Sequence, residues 1–331
     1  MCSVIKWSDN GTAIVVARNM DWLENMRSNL WLFPRGINRE GLAGRKNSLT
    51  WASKYGSVIA SAYDLASTDG MNEKSLACHM LWLAESDYGR RDEKIPGLSV
   101  SLWLQFVLDN FANVDEAVTY VENHPFQILP CIVGTTGKVS EVHMMIEDVS
   151  GDAAIFEYTD GGKSKVHHNK GYNIMTNSPP FNKQLENLKQ YQGFGGDRKL
   201  PGSTEAADRF VRAAYYQKSL PKNITSAREA VAGVISVARN VSQPFGTADP
   251  LRPNISPTRW RTVSDLTNRV YYFESTTSPS IVWVRLDDLD FAARAPVKKI
   301  DLVNGTDRVG NVSSEFKSTE PFVWAKPMTT E

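Results

Sequence analysis

Apolar positions recur in short runs bounded by turn residues at the start of the chain, and a helical period appears only later. Cys2-Ser-Val-Ile-Lys-Trp7 is β-prone, Ser8-Asp-Asn-Gly-Thr12 carries turn chemistry, and Ala13-Ile-Val-Val-Ala-Arg18 is β-prone again. Two such runs around Asn10-Gly11, which can take positive φ, predict a hairpin. With its turn centred on Asp9 to Gly11, the hairpin sets Cys2 opposite Arg18 or a neighbour within one residue, and Asp21 follows three residues later. A thiol, a guanidinium and a carboxylate thereby gather at one end by local geometry alone.

Residues 57–63 and 75–82 read as further strands, joined through Asp69-Gly-Met-Asn-Glu73. Leu98 to Phe111 carries a helical apolar period, and Asn113-Val-Asp-Glu116 is a capping box that opens a second helix. Strands are predicted at residues 141–146 and 153–158, separated by a Ser150-Gly151-Asp152 turn, and at 172–176. The last runs into Asn177-Ser-Pro-Pro-Phe181, where Ser178 is expected to cap and Pro179 to begin a helix. Helical patterns fill 205–218 and 226–240, the second opening with the box Ser226…Glu229, and strands return at 261–265, 270–274 and 281–285. Hairpins rather than βαβ alternation predict antiparallel sheets covered by helices, an α+β layered fold. No repeat, linker or composition break interrupts 1–331, which reads as one domain, with 193–202 a loop inside it.

Composition narrows the chemistry. The 37 basic and 37 acidic side chains cancel, so no long-range field collects nucleic acid or anionic membrane. No segment approaches the roughly 18 consecutive apolar residues of a membrane span. There is no GxxxxGK[ST], HExxH or GxSxG motif, and Gly193-Phe-Gly-Gly196 follows a helix, a poor place for a dinucleotide loop. His167-His168 reads as a polar turn. No basic and apolar leader opens the chain, which fits either a cytosolic protein or one whose leader has been cut away.

Cys2, directly behind the initiator methionine, is the informative cysteine. With Met1 removed it carries both a thiol nucleophile and its own α-amine, whose reference pKa of about 7.7 to 8.0 suits a general base. Arg18 would stabilise negative charge on the sulfur and Asp21 would hold the ammonium. Cys78 and Cys131 read as small hydrophobes. No metal or organic cofactor is required.

Met-Cys2-Ser, Ala17-Arg18-Asn-Met-Asp21-Trp22, Asp69-Gly-Met-Asn-Glu-Lys74, Thr176-Asn177-Ser-Pro and Asp208-Arg209-Phe-Val-Arg212 together resemble the choloylglycine hydrolases, N-terminal-nucleophile amidases. The resemblance implies an αββα sandwich, with two antiparallel sheets between helical layers. It implies Cys2 as nucleophile, Arg18 and Asp21 as its orienting groups, Asn177 as an oxyanion donor and Arg209 as an active-site arginine. Trp82 stands where bile salt hydrolases carry an asparagine, so the second oxyanion donor becomes the backbone N–H there or another group. Trp22 and Trp82, with Met20, then form an aromatic and apolar substrate wall similar to that of Gram-negative penicillin V acylases and N-acyl homoserine lactone acylases. For this subgroup the resemblance implies a small acyl amide substrate, quorum quenching, a periplasmic location and a homotetramer. Conjugated bile salt hydrolysis is the alternative substrate, and a ligand-binding relative with Met1 retained is the alternative of another class.

Overall fold

The strands that begin the chain are buried on both faces, and that fixes how the layers stack. In the computed structural model, which describes residues 2–44, 47–247, 255–304 and 307–328, every residue of Cys2–Trp7 and Val15–Asp21 is buried. A sheet can bury both faces only when each is covered. Among the described residues, one seven-stranded sheet runs in the order Ile174–Thr176, Cys2–Trp7, Val15–Asp21, Thr258–Asp265, Val270–Ser275, Ile281–Arg285 and Gly310–Asn311. The other, nine-stranded, centres on Val142–Glu147, Ala77–Trp82, Ala66–Asn72 and Ser57–Ala62.

Helices Ala206–Lys218 and Ala227–Asn240 pack on the outer face of the first sheet, and Val100–Asn110 and Val114–Asn123 on the second. The inner faces meet in a core that includes Val4, Val16, Met71 and Met145. This is the αββα sandwich. No described helix is long and apolar enough to cross a membrane.

Both capping boxes form as read. Asn113 accepts from the Glu116 N–H, and Ser226 from that of Glu229. Asp69-Gly-Met-Asn72 is not a connection but part of the strand Ala66–Asn72, because Asp69 and Asn72, poor strand formers in isolation, find partners for their side chains inside the sandwich. His167 and His168 end the edge strand Lys163–His168 rather than forming a turn. Glu157 and Asp152 on the neighbouring strand and its turn hold their rings at 3.2 and 2.7 Å.

One irregularity matters for function. Ala60 faces Asp69 but Ser61 faces Ser67, so Thr68 is an extra residue, a β-bulge. The bulge coincides with the end of pairing on the other edge of Ala66–Asn72. The strand on that edge, Ala77–Trp82, is paired only from Asp69–His79 to Met71–Ala77. Residues 66–68 and 80–82 therefore part, and a cleft opens between them.

Candidate active site

The hairpin places Cys2 opposite Met20, not opposite Arg18 or its immediate neighbours. The loop is wider than the predicted turn. Asn10 Oδ1 accepts from the Thr12 and Ala13 N–H groups, and Gly11 supplies φ +80°, so the turn centres on Gly11. Moving the centre by one residue shifts the register by two. An even shift leaves every side chain on its own face, and Cys2, Arg18 and Met20 still share the face towards the second sheet. Arg18 Nη2 lies 3.6 Å from Cys2 Sγ and 3.4 Å from Met20 Sδ, and donates to Met80 O at 2.9 Å. Its guanidinium stacks over the Trp260 ring at 4.5 Å, and Nε stands 3.9 Å from Asp69 Oδ2.

The nitrogen of Cys2 faces a different set of groups. It donates to Asn177 Oδ1, which also accepts from Arg209 Nη2 at 2.9 Å. Arg209 reaches through from helix Ala206–Lys218 to donate to Cys2 O at 2.7 Å and to Ser3 Oγ, and its Nη1 lies 3.8 Å from Asp21 Oδ2. Thr258 Oγ1 donates to Asp21 Oδ1 at 2.6 Å. Burial pushes the Asp21 carboxyl up, against the pull of Arg209 and the Thr258 hydrogen bond, and burial likewise lowers Arg209. The structure thus gathers all five residues read from the sequence, Cys2, Arg18, Asp21, Asn177 and Arg209. The sulfur faces Arg18 and Met20, while the nitrogen meets Asn177, which bridges from Arg209 to Trp82 O on the second sheet.

Asn177 comes from the loop after Ile174–Thr176, but the helix beyond it begins at Phe181, two residues later than read. Pro179 precedes Pro180, and a residue before proline is driven out of the helical region. Ser178 Oγ accepts from the Ala84 N–H at 3.2 Å instead of capping, and Glu157 takes the Phe181 N–H at 2.9 Å. Gln184 holds Asn177 O at 3.1 Å from inside that helix.

Asn177 Nδ2 donates to Trp82 O at 2.6 Å, which uses one of its two hydrogens and leaves the other. Leu83 N–H bonds Glu141 O at 2.9 Å, so the alternation of an antiparallel ladder turns the Trp82 N–H the other way, to the side its carbonyl takes towards Asn177. Asn177 and Trp82 thus each offer an N–H from a separate segment, that of Trp82 on the side where its carbonyl meets Asn177.

The sulfur opens onto a pocket of roughly 730 Å³ of empty space, its mouth included. Met20, Met26, Met80, Leu81, Trp22 and Trp82 contribute to a lining that is almost wholly apolar. The two indoles stand 5.4 Å apart, tilted by 40°, and Trp22 Nε1 donates to Tyr63 Oη at 2.8 Å. Arg259, the extra residue of a second bulge, donates to Trp22 O at 2.8 Å and fixes that turn. Cys78 is buried in the core on the far side of the second sheet, as a small hydrophobe would be, and burial raises its thiol well above the usual range. Cys131, read the same way, also lines the pocket.

Sequence reasoning missed Ser3, Thr258, Trp260 and Asp69 as supporting residues. Ser3 and Asp69 stood within the motifs Met-Cys2-Ser and Asp69-Gly-Met-Asn, whereas Thr258 and Trp260 carried no signal. Asp69 Oδ2 meets His79 Nδ1 at 2.6 Å, and His79 Nε2 lies 3.3 Å from Glu147 Oε2, all fully buried. Burial alone would lower His79, but Asp69 and Glu147 outweigh it and lift the imidazole from 6.5 to about 10. Burial works to raise Asp69, yet His79, Arg18 and Tyr271 together hold its carboxyl below the usual range. The stability that a charged His79 contributes is complete below the unfolded value of 6.5 and disappears as pH rises through about 10. Replacing His79 with Gln is expected to cost about 3 kcal/mol near neutrality, as for a broken buried pair. Thermal melts of both proteins across pH should show the gap narrowing on the alkaline side, and a gap independent of pH would contradict the assignment.

The layered fold is that of the N-terminal-nucleophile hydrolases. Within that class the chain belongs to the choloylglycine hydrolase family of linear amide C–N hydrolases, whose sequence profile matches residues 2–307. It is a hydrolase that acts on linear amides. It is 44% identical to the penicillin V acylase of Pectobacterium atrosepticum, over 94% of this chain and 88% of the relative. The structure of penicillin V acylase from Agrobacterium tumefaciens superposes with a TM-score of 0.88 at 46% identity, covering 98% of this chain and 99% of the other. A bile salt hydrolase/transferase of Clostridium perfringens is 25% identical over 83% of this chain and 89% of its own length.

Proposed function

We propose that the chain is an N-terminal cysteine amidase of the penicillin V acylase and N-acyl homoserine lactone acylase type. The observation that carries this reading is the division of surroundings at Cys2. Its sulfur faces an apolar, indole-walled pocket, while its nitrogen faces Asn177 and, through it, Arg209. Loss of Met1, by aminopeptidase or autocatalysis, turns that nitrogen into an α-amine. The amine takes the thiol proton as Sγ attacks the amide carbonyl carbon. Arg18 balances charge on the sulfur, and Asp21 and Asn177 hold the resulting ammonium.

The free Nδ2 hydrogen of Asn177 and the Trp82 N–H stabilise the oxyanion, each worth about 3 kcal/mol. The ammonium then protonates the departing nitrogen, the C–N bond breaks, and an acyl-thioester remains on Cys2. Water, deprotonated by the amine, attacks the thioester, and the thiol is restored with release of the acid.

Met20, Trp22 and Trp82 take the acyl part by apolar burial and stacking, which suits a phenoxyacetyl group or a fatty chain. The penicillin V acylase relatives at 44% and 46% identity support the same substrate class. The test compares kcat/KM on penicillin V, a long-chain acyl homoserine lactone and glycocholate, using protein whose N-terminus has been established by mass spectrometry. One of the first two is expected to be the best substrate. Faster turnover of glycocholate than of both would transfer the assignment to bile salt hydrolysis. Full retention of Met1 with no cleavage would leave a ligand-binding relative.

A further inference from the structure

The pocket does not stay between the two sheets. Its lining includes Arg18 on the first sheet, but also Val100 and Ser101 at the start of helix Val100–Asn110, which packs on the outer face of the second. A single cavity can touch both only by passing the level of the second sheet. The opening is the cleft between residues 66–68 and 80–82 beside the Thr68 bulge, since those residues line the pocket as well.

At the helix end of this passage lies Ala325, a residue far from Cys2 in sequence that belongs to no helix or strand. Its placement is over-determined. Ala325 N–H donates to Leu65 O at 2.8 Å, and Ala325 O accepts from Ser99 Oγ at 3.0 Å and Ser101 Oγ at 2.8 Å. On one side Trp324 packs against Phe322, the rings 4.3 Å apart and tilted by 42°, and takes the Arg39 guanidinium at 5.2 Å. On the other, Met328 N–H bonds Pro130 O at 2.9 Å. Hydrogen bonds and aromatic packing thus fasten residues 322–328 across the outer end of the cleft.

We propose that Ala325, held by this strap, is the stop at the far end of the acyl passage and sets the longest acyl chain the enzyme accepts. The proposal rests on Cys2 as the acylated residue, because that fixes the carbonyl end of the chain. An acyl group bonded at Sγ runs past Met20 and the two indoles, enters the cleft and ends against Ala325 and Val100. A methyl at position 325 leaves room there that a larger side chain would occupy. The strap makes the obstruction fixed rather than something the substrate could push aside.

The experiment measures kcat/KM for a butanoyl and a dodecanoyl amide of the same amine, with Ala325→Leu and Val100→Ala beside the wild type. Ala325→Leu is expected to leave the butanoyl amide within about twofold and to slow the dodecanoyl amide about tenfold or more. Val100→Ala, which enlarges the same end, should raise the dodecanoyl-to-butanoyl ratio about threefold. A damaged fold would depress both substrates alike and leave the ratio where it was. In a variant that melts like the wild type, an unchanged ratio in Ala325→Leu, or in Val100→Ala should Ala325→Leu fail to fold, overturns the proposal while butanoyl turnover keeps the catalytic reading intact. Wild-type protein that shows its N-terminal Cys2 by mass spectrometry and cleaves neither amide overturns the catalytic reading, and the proposal with it.

Discussion

Replacing Cys2 with alanine is expected to lower kcat/KM on any amide the wild type cleaves by about 10⁴-fold or more, with the fold retained. Removing the sulfur removes the only group that can carry the acyl intermediate in this scheme. The other described thiols do not substitute. Cys78 belongs to the core on the opposite side of the second sheet, and burial keeps the Cys131 thiol protonated. The structural cost is small by comparison, because the polar contacts of Sγ are weak ones to Met20 Sδ at 3.8 Å and Arg18 at 3.6 Å, and Sγ borders a pocket. A melting temperature within a few degrees of wild type together with the kinetic loss is the expected pair of results. Activity within tenfold of wild type would show that another group attacks the carbonyl.

Asn177→Ala carries the second large effect, a fall in kcat of about 10²- to 10³-fold with little change in KM. The side chain does three things at once. It accepts from the Cys2 nitrogen, accepts from Arg209 and donates to Trp82 O, with one hydrogen left for the oxyanion. Alanine abolishes the donor and also leaves Arg209, fully buried, without one of its acceptors. Asn177→Asp separates the two contributions, since it restores an acceptor for Arg209 but offers no N–H. If donation to the oxyanion dominates, Asp should be as slow as Ala while regaining thermal stability. If Asp recovers most of the rate, Asn177 acts through Arg209 and the amine.

What the sequence made legible was local. Asn113 and Ser226 cap their helices because a capping box needs only four consecutive residues. The Cys2–Arg18 association survived an error of two in register because face alternation has a period of two. Pro179 failed as a helix start because a second proline follows it, a rule also readable from the chain. Asp69-Gly-Met-Asn72 was misread as a connection because its partners, His79 and Tyr271, lie on separated segments that its own composition does not announce. Thr258 under Asp21, Trp260 under Arg18 and Ala325 at the end of the pocket were out of reach for the same reason. Each is placed by pairing or strapping across more than 200 residues, and no periodicity reports that. Cys2, Arg18 and Asp21 were legible from the hairpin and its chemistry, whereas Asn177 and Arg209 were found only through motif resemblance. Composition had singled out only Cys2.

The central claim is that Cys2, freed of Met1, carries the acyl group, and intact-mass and peptide-mapping analysis of acid-quenched protein during turnover of a reactive acyl amide tests it most directly. The account predicts one acyl adduct per chain, labile to hydroxylamine, on an N-terminal peptide that begins at Cys2 and is missing in Cys2→Ala. Turnover by chains that retain Met1, or an adduct mapped to any other residue, would contradict it.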